Sequence, residues 1–323
     1  MKLAITVITY NRSGCLKQVL DVLSGSMLCN YHITVFDNCS ADDTVAVAES
    51  FYGNLPNLKV ISNKINIGGD ANMMRAAELS EGEYTWVLCD DDVIDLSHFD
   101  KVLEVIEKGE VDLLHVGAHP DEHWERFAGV TTTPRKLVAQ GYPYFKFSSF
   151  LPCNIFRTAL FQKDMIKAYR NIVNSFPLMP YLINEFEQDK LMYVSKNQIV
   201  TATLGSSNYA LGNFYYWWMG TSKLLKNKAE VRLAFLDQWR NIDRVHRISG
   251  LDILNYLLAE GEDKKAAKEF IRDYLTPEDR LYMFKKRFMG GAYYKIIEQL
   301  TLGKKSIIRT IRGEKRGSNP LAG

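Results

Sequence analysis

Short β-branched runs alternate with segments of helical periodicity across the first hundred residues, and that alternation commits a chain to βαβ units on a mostly parallel sheet. Residues 3–9 read as a buried strand, and 13–23 as a helix with Leu16, Val19, Leu20 and Leu23 on one face. Residues 32–36 follow as a strand, 42–51 as a helix, 58–62 as a strand, 71–79 as a helix, and 84–88 as a strand that ends on Asp90, Asp91 and Asp92. Ligands of open α/β sheets bind beyond the carboxyl ends of the strands, so segments 9–12, 37–40 and 90–92 are expected to converge.

Beyond that point the pattern loosens. A helix over 96–108 and a strand over 111–116 precede a stretch, about 119–152, rich in Gly, Pro, Thr and aromatics. That stretch reads as a long loop or small edge strands. Helices are expected at 160–174 and 180–186, with a strand at 191–194. From 213 onward the signal is mostly helical, over 215–226, 229–247, 251–258 and 264–274, and the TPED run at 276–279 opens another helix. No internal repeat is visible.

Composition narrows the function classes. With 46% hydrophobic residues and 323 positions the chain can bury a sizeable core. A formal charge of +2 is too close to neutral for a dedicated nucleic-acid binder. The five cysteines, Cys15, Cys29, Cys39, Cys89 and Cys153, are odd in number and lack zinc or redox spacing, which fits free thiols in a reducing compartment. The opening MKLAITVITYNR has no small-residue cleavage site, and no run of about 18 apolar residues exists. A cytoplasmic protein is expected, with any membrane contact peripheral.

Three carboxylates at a strand end repel one another unless protons or a cation compensate them. Oxygen ligands of this kind suit Mg²⁺ or Mn²⁺, which share their shell with substrate phosphates. A solvated turn is the plainer reading of the triplet taken alone.

Four stretches over roughly residues 1–100 resemble the family 2 nucleotide-sugar glycosyltransferases of GT-A fold, in that family's order and spacing. They are ITVITYNR, VFDNCSADDT at 35–44, NIGGDAN at 66–72 and EGEYTWVLCDDDV at 81–93. The resemblance implies a mostly parallel α/β sheet flanked by helices, with a catalytic domain over 1–210 and a helical extension over 211–323. Within 1–210, residues 1–100 bind the donor and 101–210 form the acceptor side. It also implies that Thr9, Tyr10, Asn11 and Arg12 border the nucleotide and that Asp37 receives its base or ribose. Asn38 would shape that turn, while Asn66, Gly68, Gly69 and Asn72 let backbone approach the donor. Asp90, Asp91 and Asp92 are the metal candidates, with Mn²⁺ or Mg²⁺ as cofactor. Most members read Leu-Asp-x-Asp-Asp here, which sets Cys89 at the first aspartate and Asp91 and Asp92 in the metal positions. A literal DxD is Asp90 with Asp92. The uncharged residue before DDD resembles the branch of abequosyltransferase-like enzymes of surface polysaccharide synthesis.

The resemblance implies transfer of a sugar from a UDP, GDP, dTDP or CDP donor to a glycan or polyprenyl-linked acceptor, with inversion as the family expectation and a retaining route or an unusual base left open. Two departures bear on mechanism. The stretch 174–180, where the family carries its catalytic base, holds no carboxylate, which leaves Glu185, Glu187 and Asp189 as candidate bases or as an exposed acidic helix end. The segment 203–209 lacks the family's histidine and offers Ser206, Ser207 and Asn208 instead. A donor-binding protein without turnover is therefore a competing expectation, and a sugar nucleotidyltransferase a more distant one. Asp42 and Asp43 read as helix N-terminal charges, and Asp70 as a helix cap or a sugar contact. The aromatic run 215–218 suits packing or sugar stacking, and the basic tail after 280 suits anionic lipid, solvent or a homo-oligomer contact.

Overall fold

The expected alternation builds one side of a sheet whose strand ends finish level with one another. The computed structural model of the chain describes residues 1–118, 124–172 and 176–203, together with 224, 228, 230, 231 and 234. Its strands are β1 (Leu3–Thr9), β2 (His32–Asp37), β3 (Leu58–Ser62), β4 (Tyr84–Cys89), β5 (Val93–Ile94), β6 (Leu113–His115), β7 (Gly117–Ala118), β8 (Thr131–Thr132), β9 (Asn154–Arg157), β10 (Met192–Val194) and β11 (Val200–Thr201). Eight of them form a mixed sheet in the order β3-β2-β1-β4-β9-β6-β10-β8. The first four are parallel, and β9 runs against both of its neighbours, β4 and β6. Because β10 is parallel to β6, the carboxyl ends of β4, β6 and β10 all point the same way. Thr9 pairs with Asp37 and Ile8 with Cys89, so β1, β2 and β4 end within a residue of one another.

Helices cover the sheet: α1 (Ser13–Ser24), α2 (Thr44–Glu49), α3 (Gly69–Glu78), α4 (Phe99–Lys108), α5 (Trp124–Phe127), α6 (Pro134–Ala139), α7 (Tyr144–Ser149), α8 (Thr158–Lys163), α9 (Met165–Arg170) and α10 (Met179–Glu187). The face of α1 foreseen from its periodicity is the buried one. Gly109, left-handed at φ 66, ends α4 as such glycines do. Beneath the site, Trp86 of β4 is fully buried, stacks on Phe99 of α4 at 5.1 Å and donates its indole N–H to Pro152 O at 2.8 Å.

Three expectations are corrected here. In its described part the stretch 119–152 does hold a small edge strand, β8, but it is otherwise no plain loop and carries α5, α6 and α7. Tyr142, Tyr144, Phe145 and Phe147 are buried there, and helices of four to six residues are too short to show a period. The helix expected over 160–174 is two, α8 and α9, broken at Asp164. The strand β9 was not foreseen at all, since NIFR follows a Pro-Cys turn and carries no alternation of its own.

A small second sheet, β5-β11-β7, starts directly after the three aspartates. No described helix is long and apolar enough to cross a membrane. The domain boundary near 210, the aromatic run at 215–218, Ser206, Ser207, Asn208 and the basic tail lie outside the described residues.

Candidate active site

The loops after β1, β2 and β4 meet, as their strand ends required. Thr9 donates its hydroxyl to Asp90 Oδ2 at 2.7 Å, and Arg12 Nη1 donates to Asp90 Oδ1 at 3.1 Å and to Asp91 Oδ2 at 2.6 Å. Asp90 is only 4% exposed, and burial lifts its carboxyl above the usual carboxylate range although both donors pull it down. Asn11, left-handed at φ 50, ties the first loop to the second: its N–H reaches Ser40 Oγ at 2.8 Å and its Oδ1 accepts Ala41 N–H at 2.7 Å. Asp42 accepts the Thr44 N–H at 3.0 Å and the Ser13 N–H at 3.3 Å, serving the starts of α2 and α1 at once. Its bonds to Thr44, the hydroxyl first, hold its carboxyl below the ordinary range. Tyr10 and Arg12 stand exposed above this floor.

Several residues expected at the donor hold its loops. Asp37 is 1% exposed, and both of its oxygens accept the Ser40 N–H, at 3.1 and 3.2 Å. Asn38 donates to Asn66 Oδ1 at 2.8 Å and accepts from Asn63 Nδ2 at 3.0 Å and Ile67 N–H at 3.0 Å. Asn63 also donates to Asn72 Oδ1 at 2.9 Å, and Asn72 donates to Phe36 O at 2.9 Å. Buried Asn38 and Asn72 thus have their amides committed inside the protein. Sequence reading missed Asn63, the hub of this chain of amides, and no local pattern marks it. Gly68 stands at φ 86, ψ 153, a conformation that only glycine adopts readily, and accepts the Asn72 N–H at the start of α3. A Cβ on Gly68 or Gly69 would meet nothing within 4 Å, so the backbone there faces open space. Asp70, in the first turn of α3, makes no cap bond, and burial pushes its carboxyl up to about 6.

At the end of β4 the three aspartates part company. Ligating atoms of Cys89, Asp91 and Asp92 lie within 4.8 Å of one another, whereas Asp90 is held by Thr9 and Arg12. Burial, then the charge of Asp91, pushes the Asp92 carboxyl up to about 7, against the Thr203 N–H and the Cys89 thiol, which lower it. Two neighbouring acids with that conflict are a donor set that a divalent cation would relieve, so the residues present fit Mn²⁺ or Mg²⁺.

Glu185, Glu187 and Asp189 do not reach this cluster. The polypeptide leaves α10, turns through a left-handed Asp189 (φ 53) and enters β10 at its amino end. There Leu191 O accepts the Asp112 N–H at 2.9 Å, and Asp112 bonds Arg157, the partner of Tyr84, first residue of β4. The aspartates follow the other end of that six-residue strand. At roughly 3.3 Å per residue, about 16 Å separates the two ends. Glu187 pairs with Lys228, and Asp189 is exposed.

Glu185 is 1% exposed, and neither of its oxygens has a hydrogen-bond partner. Burial, then Asp112, pushes its carboxyl up to about 7 from 4.5. The folded value exceeds the unfolded one, so stability falls as pH rises between the two, at about 1.4 kcal/mol per unit. Glu185→Gln should therefore gain in melting temperature over the parent as pH is raised from about 5 to about 8, read by thermal unfolding. A gap that does not change with pH would sink this account.

The family model described as glycosyl transferase family 2 matches residues 4–170. The chain belongs to that family. It is a glycosyltransferase, and the expectation of a sugar nucleotidyltransferase falls. An uncharacterised glycosyltransferase of Haemophilus influenzae is 26% identical over 282 residues, 83% of this chain and 88% of that protein. Abequosyltransferase RfbV of Salmonella typhimurium is 29% identical over 98 residues, 29% of each chain. Among solved structures, residues 1–349 of Staphylococcus aureus TarS with UDP-GlcNAc superpose with a TM-score of 0.62 at 19% identity, covering 85% of this chain and 82% of that one. TarS carries the name poly(ribitol-phosphate) beta-N-acetylglucosaminyltransferase. The mannosyltransferase PcManGT of Pyrobaculum calidifontis, with GDP-Man and Mn²⁺, superposes with a TM-score of 0.52 at 12% identity, covering 87% and 82%. At these identities the superpositions show the shared GT-A fold. The expected likeness to abequosyltransferases agrees with the match to RfbV.

Proposed function

We propose that this family 2 glycosyltransferase moves a sugar from a nucleoside diphosphate to a hydroxyl of a glycan or polyprenyl-linked glycan in bacterial surface-polysaccharide assembly. Asp91 and Asp92 hold Mn²⁺ or Mg²⁺. The observation that carries the reading is the meeting of three strand-end loops around an acidic pair, beside open backbone at Gly68 and Gly69. Tyr10 and Arg12 border the nucleotide, and the Arg12 guanidinium adds positive charge beside the diphosphate. The asparagine chain through Asn38, Asn63 and Asn72 keeps Gly68 and Gly69 in place so that phosphate or sugar approaches bare backbone. A divalent cation, when bound, neutralises the charge that grows on the leaving diphosphate. The acceptor hydroxyl attacks the anomeric carbon from the side away from the diphosphate, the bond from that carbon to the diphosphate breaks with inversion, and the hydroxyl proton passes to solvent. The acceptor class follows TarS, whose named substrate is a polymer, and the donor class follows the UDP-GlcNAc and GDP-Man of the two structural neighbours.

The test is a panel of UDP, GDP, dTDP and CDP sugars, with and without Mn²⁺ or Mg²⁺, followed by calorimetry and by release of nucleoside diphosphate. At least one donor should bind in a metal-dependent manner and be slowly hydrolysed. Neither binding nor hydrolysis across the panel would end the proposal. Metal-dependent binding without turnover on any acceptor would favour a donor-binding protein instead, a reading motivated by the placement of Glu185, Glu187 and Asp189 at the far end of the sheet.

A further inference from the structure

Of the four consecutive polar residues Cys89 to Asp92, the one removed from the metal group is an aspartate, and the one that takes its place is a thiol. Asp90 has an oxygen on Thr9 and the other on Arg12. Cys89 instead has its sulfur within 4.8 Å of the carboxylate oxygens of both Asp91 and Asp92. Its position is set by the last step of β4, where it pairs with Ile8 of the central strand β1, so the thiol is placed by the sheet rather than by a loose turn. We propose that Cys89 is a third protein ligand of the cation site, giving a mixed sulfur and oxygen set that selects thiophilic divalent ions such as Co²⁺, Zn²⁺ or Cd²⁺ over Mg²⁺. This rests on the metal reading above.

The chemistry follows from ligand softness. Carboxylate and water favour Mg²⁺ and Mn²⁺, whereas a thiolate adds affinity for softer ions and little for Mg²⁺. Binding forms a sulfur–metal bond, and the thiol proton leaves to solvent. A site of this kind would hold Mn²⁺ through its two carboxylates and bind Co²⁺ or Cd²⁺ more tightly through all three residues.

The test is titration of the full chain with Co²⁺, Cd²⁺, Mn²⁺ and Mg²⁺ under reducing conditions, read by calorimetry and by the near-ultraviolet thiolate-to-cobalt charge-transfer band. The parent and Cys39→Ser, which removes the exposed thiol, should both show the band. Cys89→Ser should lose it and bind Cd²⁺ at least about tenfold more weakly, with Mg²⁺ affinity unchanged. Cys89→Asp, a second variant, should shift preference toward Mg²⁺ and Mn²⁺. A parent that binds Mn²⁺ and Co²⁺ with no thiolate band, or a band that survives in Cys89→Ser, overturns the assignment of Cys89 alone. A parent that binds none of the four ions overturns the metal reading and this inference together.

Discussion

Asp92→Asn is expected to lower metal-dependent turnover by a factor on the order of 10²–10³ while leaving the fold intact. Asp92 belongs to the proposed cation group under either register of the motif, and of its two carboxylates it is the one whose ionised form burial and the adjacent Asp91 disfavour. An amide keeps the shape, keeps an oxygen for the Thr203 N–H and removes the charge a cation needs. Thermal unfolding of the apo variant should match or exceed that of the parent, because a disfavoured carboxylate has been neutralised. Near-normal turnover at saturating Mn²⁺ would remove the basis of the functional reading. A collapse in melting temperature would show instead that Asp92 is a structural acid.

Trp86→Ala should do the reverse, destabilising the protein by about 3–5 kcal/mol. The indole is fully buried in β4, stacked on Phe99, and its N–H satisfies Pro152 O, which the variant would leave without that donor. Denaturant unfolding measures the loss, and Trp86→Phe, which keeps a ring against Phe99, should recover part of it. A loss below about 1 kcal/mol would mean that the strand carrying the aspartates is held by something other than this packing. Since β4 ends on Cys89, next to Asp91 and Asp92, the surviving folded fraction of Trp86→Ala should also bind metal more weakly if the proposed site is correct.

The contrast between these two residues follows how far each was legible. Trp86 sits in an apolar run whose strand was readable from β-branched and aromatic content. Asp92 was readable from its place beyond that strand's end. Both inferences use contacts within a few residues, where periodicity and position carry the information. The role of Asn63 was not readable, because an asparagine after a strand says nothing about which amides it will meet until α3 and the turn after β2 are docked against it.

The same boundary runs through the whole sheet, between what is local to a segment and what depends on which segments meet. Alternating patterns in the first hundred residues determined four parallel strands, the helices between them and the end of the sheet at which ligands bind. They did so because strand and helix periods of 2 and 3.6 are local properties. Pairing across the sheet was decided only in three dimensions. β9 slipped between β4 and β6 on four residues with no pattern of their own. The direction of β10 carried Glu185, Glu187 and Asp189 to the end of the sheet away from the aspartates. Among the aspartates themselves, Thr9, some eighty residues earlier in the chain, took Asp90, Arg12 bridged Asp90 and Asp91, and Cys89 came to lie beside Asp91 and Asp92. A spacing rule counts positions along one strand end, and it cannot see which neighbour has already taken a carboxylate.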